Sequence, residues 1–191
     1  MNHAGTRTIE TKRLILRKFT SEDAENMYKN WAGDEEVTRY LTWPAHADVT
    51  MSKSIIGLWI KETKLLKNYQ WCIELKDIKE AIGSIGVVHM NEKIEAVEIG
   101  YCIGKEFWNR GLMTEALNAV IHFFFTEVGV IQIQARHDIN NPASGKVMIK
   151  CGLKFEGILP QSATNNTGIC DLACYTILRD DFLNKGSDCN C

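Results

Sequence analysis

VEIGYCIGKEFWNRGLMTEALNAVIHFFF, residues 97–125, decides the fold. It begins as a short apolar strand over 97–103, then enters a loop holding Gly104, Asn109, Arg110 and Gly111. A long helix follows, whose first turn carries Thr114 and Glu115. Leu112, Ala116, Leu117, Val120, Ile121, Phe124 and Phe125 recur at helical spacing and form its buried face. A helix opening on a glycine-containing loop leaves its first backbone N–H groups unpaired, with the positive end of the macrodipole behind them. Such amides cradle an anion, most naturally a phosphate. The loop is not a P-loop, because G-x-x-x-x-G-K-[ST] is absent, and not a dinucleotide fingerprint, because G-x-G-x-x-G is absent. A strand over 130–136 follows the helix without a hairpin-type turn. Strand, helix and strand then make a βαβ crossover, with the two strands parallel neighbours.

Toward the N-terminus, residues 8–19 alternate around Leu14, Leu16 and Phe19 as a first strand. Thr20-Ser21-Glu22-Asp23 fits a capping box and opens a helix through Ala24, Met27, Tyr28 and Trp31, which Gly33 ends. A short helix from Asp34 stops before Trp43-Pro44, and a third spans 49–66. Strands over 69–75, 81–90 and 94–103 form an antiparallel run. Toward the C-terminus, Asn140-Asn141-Pro142 starts a helix that Cys151-Gly152 closes. Strands over 153–159 and 170–178 flank a polar loop over 161–168. No repeat or linker interrupts the chain, so the reading is one α+β domain over residues 8–182. Its sheet is mixed and mostly antiparallel, with helices on both faces and flexible ends at 1–7 and 183–191.

Composition sets bounds on function. A chain of 191 residues, 45% hydrophobic and 24% charged, can bury one substantial core. A net charge of -2 supplies no basic field, so nucleic acid is not an expected partner. The first residues lack the apolar core of a signal peptide, and no apolar run is long enough to span a bilayer. The expected location is therefore the cytoplasm, with no membrane partner. Seven cysteines without a CxxC pair suit buried, reduced thiols. Cys189 and Cys191 have no second ligand cluster nearby, so a disordered end is expected there and no metal site. His122 and His137 also lack a second ligand at metal spacing, and His89 is a candidate for substrate contact. Trp31, Tyr40, Trp43 and Trp59 read as aromatic packing among the N-terminal helices.

Four segments together resemble the Gcn5-related N-acetyltransferase (GNAT) family, in its branch similar to ribosomal-protein-alanine N-acetyltransferases. They are TKRLILRKF; Trp31 with DEEVTRYLTW; EIGYCIGKEFWNRGLMTEA; and NNPASGKVMIKCGLKFEG. The resemblance implies a site for acetyl-coenzyme A, used as co-substrate without a metal. The family signature, Arg or Gln, two free positions, Gly, a free position, then Gly or Ala, falls on 108–113. It implies that backbone amides of Asn109, Arg110, Gly111, Leu112, Met113 and Thr114 hold the pyrophosphate. Asn109 and Met113 stand where glycine and alanine are commoner, and Met113 is expected to narrow the approach. Cys102 and Ile103 fall where a strand edge pairs with the pantetheine arm, and Asn141 where a side-chain amide contacts the same arm.

For chemistry, the resemblance implies Glu98 as the base that takes the amine's proton, directly or through water. The alternative is a strand-end glutamate facing solvent. A backbone N–H of Cys102 or Ile103 would serve as oxyanion donor. Met148 stands where many members place an acidic tyrosine. In the ribosomal-protein-like branch a serine at the place of Ser144 takes that role; the alternative is a first-turn serine bonding the helix backbone. The expected activity is acetyl transfer to a primary amine, such as a ribosomal-protein N-terminus. A small amine, polyamine or aminoglycoside acceptor, or a coenzyme A-binding regulatory module without catalysis, are the alternatives, and a homodimer is plausible.

Overall fold

The computed structural model describes residues 1–187, with side chains described to 184. Strands β1 (Ile9–Glu10), β2 (Leu14–Arg17), β3 (Gln70–Leu75), β4 (Glu80–Asn91), β5 (Ala96–Ile103), β6 (Gln132–Asp138), β7 (Lys154–Asn165) and β8 (Gly168–Leu178) form one sheet. Their order is β1-β2-β3-β4-β5-β6-β8-β7. Among the described residues only β5 and β6 pair in parallel. The helices are α1 (Asp23–Met27), α2 (Glu35–Thr38), α3 (Val49–Glu62), α4 (Leu112–Phe123), α5 (Pro142–Lys150) and α6 (Arg179–Ser187). Both α1 and α4 run on into π-helical turns, Tyr28–Ala32 and Phe124–Val128. The α+β class, the mixed sheet and the βαβ unit agree with the sequence.

Two cores cover the two faces. Strand alternation sends Leu14, Leu16, Trp71, Ile73, Val97 and Ile99 to one side, where they pack with Leu112, Leu117, Val120, Phe123 and Phe124 of the α4 region. Phe19, Met27, Trp31 and Ile56 pack with Cys72 and Ala81 on the other side, beneath α1 and α3. Tyr69, Trp71, Phe123 and Phe124 meet in edge-to-face contacts that fix α4 on the sheet.

Four local expectations change. The first strand is split, because Thr11 bonds Leu14 through both backbone and hydroxyl and turns the chain between β1 and β2. Residues 1–7, expected as a flexible end, are bonded to the body of the fold. Asn2, Ala4 and Gly5 donate N–H groups to the Val128 carbonyl, the Tyr69 hydroxyl and the Leu66 carbonyl, and the Arg7 carbonyl accepts from the Trp71 indole. The polar loop over 161–168 is mostly hairpin: β7 and β8 continue to a turn at Asn166-Thr167, with bulges absorbing the misfit. At the other end, α6 extends past 182, held by Phe182 against Phe125 and His122 and by Lys154 on Asp181. Cys189 and Cys191 lie outside the described residues.

Buried charge fastens α1 to the sheet. Arg17 on β2 donates to Glu74 at 2.6 Å and to both oxygens of Asp23 at 2.7 and 2.8 Å. Burial alone would raise the Asp23 carboxyl, but hydrogen bonds from Arg17 and Thr20 outweigh it and hold it below its usual range. A depressed folded pKa contributes stability that is present above the unfolded carboxylate range and lost as pH falls through the folded value. Arg17→Met should cost about 3 kcal/mol in urea unfolding at pH 7, because it strands Asp23. Asp23→Asn should flatten the loss of stability between about pH 5 and pH 3.

Candidate active site

The site begins where β5 and β6 part. They pair at Ala96↔Gln132, Val97↔Ile133 and Glu98↔Gln134, then no further, although β5 runs to Ile103 and β6 to Asp138. On its other edge β5 stays paired with β4. The Gly104 N–H donates to the Ile82 carbonyl at 2.9 Å, which fixes the alternation of that antiparallel ladder. Cys102 therefore turns its backbone groups to β4, while Tyr101 and Ile103 turn theirs to the open edge. The Trp108 indole N–H takes the Ile103 carbonyl at 2.8 Å, tying the following loop to the strand end. The parting opens a cleft of 670 Å³, lined by β5, the ends of β6 and α5, and the loop over 40–43.

At one end of β5 the chain enters α4 through a loop in which Asn109 and Gly111 both take positive φ, 58° and 72°. Asn109, Arg110 and Gly111 are exposed. The first α-helical bond of this turn runs from the Glu115 N–H to the Gly111 carbonyl at 3.1 Å, so the amides of Leu112, Met113 and Thr114 stand ahead of the ladder. Met113 does not narrow the approach: it is 6% exposed and packed in the core below. Leu112 is buried beside it, and Thr114 is half-buried.

The other expected residues fall around the cleft. Glu98 faces it from β5 but is held by Arg136 of β6, which donates through Nε at 3.0 Å and through a second, shorter contact. Its side chain is 12% exposed, so it is not a solvated strand end. His89 lies directly opposite Glu98 on β4. Asn141 is the N-cap residue of α5 and its side chain makes no capping bond. Cys102 carries a thiol 3.4 Å from the Ser84 hydroxyl, and burial pushes that thiol up.

Ser144 lies in the first turn of α5, and its hydroxyl donates to the Tyr101 phenol oxygen at 3.1 Å. The phenol donates to the Ser144 carbonyl at 2.9 Å. Burial raises the Tyr101 pKa, so the phenol keeps its proton. Met148, which stands where many members place a tyrosine, is buried, yet a phenol does reach α5, from the strand instead of from the helix. Tyr101 was not singled out from sequence; its place one residue before Cys102 on the open edge was the available signal. His137 also borders the cleft. Its Nδ1 lies 2.7 Å from the Asp138 carbonyl, while its buried Nε2 has no partner among the described residues.

The far wall is latched. Asn166, at the β7–β8 turn, donates through Nδ2 to the Thr38 and Trp43 carbonyls at 2.9 and 2.8 Å, and its N–H reaches the Leu41 carbonyl. The hairpin tip thus holds the loop over 40–43 across the cleft.

The family model for the GNAT acetyltransferase domain matches residues 13–154. The chain belongs to the GNAT acetyltransferase family. It is 33% identical over 171 residues to the N-acetyltransferase YoaA of Bacillus subtilis, covering 90% of this chain and 96% of that protein. It is 27% identical over 101 residues to the ribosomal-protein-serine acetyltransferase of Escherichia coli, covering 53% of this chain and 56% of that one. The fold matches RimL, a ribosomal α-N-protein acetyltransferase solved with coenzyme A. The TM-score is 0.81 at 17% identity, covering 92% of this chain and 99% of that chain.

A GNAT enzyme uses acetyl-coenzyme A, and the residues here fit it. The exposed left-handed loop leaves backbone amides free to meet an anion, and Tyr101 and Ile103 leave a strand edge without a β partner. Gly111→Ala would force a side chain into the left-handed region at a cost of about 1 kcal/mol. It should weaken coenzyme A binding roughly five- to tenfold in calorimetry, with the circular dichroism spectrum unchanged.

Proposed function

We propose that the protein transfers acetyl from acetyl-coenzyme A to a primary amine at a protein N-terminus, in the manner of a ribosomal-protein acetyltransferase. The observation that carries this reading is the open edge of Tyr101 and Ile103, with Glu98 facing the same cleft and Ser144 across from it on α5. The names of several relatives support the acceptor class. The latch of Asn166 over residues 38–43 supports it too: a cleft roofed in this way admits a slender, flexible chain end better than a side chain on a folded surface.

Acetyl-coenzyme A supplies the activated acetyl group. The N–H of Ile103 or Tyr101 stabilises the oxyanion, in place of the Cys102 amide, which is spent on β4. Glu98 accepts the proton of the attacking amine. Arg136 occupies its oxygens, so the transfer runs through a bridging water or through opening of that pair. Ser144 Oγ gives its proton to the departing sulfur and regains one from solvent, while the Tyr101 phenol, which keeps its own proton, holds that hydroxyl in place 3.1 Å away. Asn141 contacts the pantetheine arm.

Incubation with acetyl-coenzyme A and a panel of ribosomal-protein N-terminal peptides, polyamines and aminoglycosides tests the reading by free-thiol release and product mass. Turnover should be confined to peptide α-amines. Turnover only with small amines would transfer the function to that class, and coenzyme A binding without any turnover would make the protein a regulatory module. Glu98→Gln and Ser144→Ala should each lower kcat roughly 10²-fold while sparing coenzyme A binding. Wild-type kcat in either variant would remove that residue from the mechanism.

A further inference from the structure

Arg13 stands in the turn between β1 and β2, 97 residues from Arg110 in sequence and against it in space. Its Nη1 donates to the Arg110 carbonyl at 2.8 Å, inside the cradle loop. Its Nε donates to Glu115 Oε2 at 2.7 Å, in the first turn of α4. Its own backbone N–H and the Thr11 hydroxyl take Glu115 Oε1 at 2.8 and 2.6 Å. Burial alone would raise the Glu115 carboxyl, but these bonds outweigh it and hold it ionised below its usual range. The cluster pins the β1–β2 turn to the start of α4.

The remaining guanidinium nitrogen, Nη2, carries none of these bonds. It lies 3.6 Å from the point that a Cβ on Gly111 would occupy. That point belongs to the residue whose left-handed backbone opens the helix. Two donors of the fork are spent on holding it still, and the third stands beside the amide cradle. A guanidinium fixed in this way is preorganised for a phosphate oxygen, since the entropy of ordering it has already been spent in the fold.

We propose that Arg13 is a ligand of a coenzyme A phosphate, and that Thr11 and Glu115 are positioning residues that hold its guanidinium at the cradle. The inference rests on the acetyl-transfer reading for the identity of the anion. Because Glu115 balances the charge of Arg13, the contribution is a directed donor more than a general positive field. Coenzyme A carries phosphate at two places, the pyrophosphate and the ribose 3′-phosphate. The nearness of Nη2 to Gly111 draws it to whichever lies over the helix start.

Calorimetric titration of wild type and Arg13→Gln with coenzyme A, dephospho-coenzyme A and pantetheine tests this without any acceptor. The variant should bind coenzyme A about tenfold more weakly and pantetheine as the wild type does. An equal loss with dephospho-coenzyme A assigns the pyrophosphate, and a loss that vanishes with it assigns the 3′-phosphate; both support the proposal. Wild-type affinity of the variant for coenzyme A would overturn it. So would an equal loss for pantetheine, which would make Arg13 a purely structural clamp. Should Arg13→Gln not fold, Arg13→Lys gives the same comparison. A wild type that binds no coenzyme A would instead overturn the acetyl-transfer reading beneath it.

Discussion

The structure depends on one forgone set of hydrogen bonds, those between β5 and β6 beyond Glu98 and Gln134. Each backbone bond left unmade between protein groups gives up about 1 kcal/mol of net stability. The parting persists because both strands are committed elsewhere. β4 holds the far edge of β5, and β8 pairs with β6 along its whole length, from Gln132↔Leu178 to Asp138↔Leu172. The α5 helix fills the gap from one side, bringing Ser144 to Tyr101. Trp108 takes the Ile103 carbonyl, and so turns the chain away from β6 and into the cradle.

Rigid long-range links then place side chains around that opening. Arg136 reaches from β6 to Glu98 on β5. Asn166 reaches from the β7–β8 turn to the loop over 40–43, and Arg13 reaches from the β1–β2 turn to the first turn of α4. Each link joins segments far apart in sequence through a charged or multiply bonded group. The amide cradle and the latched wall of the cleft are consequently fixed by different parts of the chain. The parted strand β5 lies between them.

Much of this was legible in the sequence because it rests on periodicity and local backbone chemistry. The stripe from Leu112 to Phe125, the Asn141-Pro142 start of α5 and the hairpin strands follow from spacing alone. The links were not legible. Nothing in the order of residues says that Glu98 finds Arg136, or that Arg13 finds Glu115 across about half the chain. Met113 stands where the family signature more often has glycine or alanine, and was expected to narrow the approach on that ground; the first turn of α4 turns its side chain into the core instead. Cys102 was set on the strand edge through the resemblance alone, and the ladder phase that turns its backbone groups to β4 is fixed by a tertiary bond, Gly104 on Ile82. The α6 helix went unseen because Phe182 is its main packing residue, too little to make a periodic stripe.

Amide hydrogen exchange with and without coenzyme A tests the central claim, that the parted edge of β5 and the start of α4 together hold the co-substrate. Binding should slow exchange at Tyr101 and Ile103 and at Leu112, Met113 and Thr114, while amides of β5 already bonded to β4, such as Cys102, change little. Protection confined to other elements, with Tyr101 and Ile103 exchanging as fast as in the free protein, would contradict it.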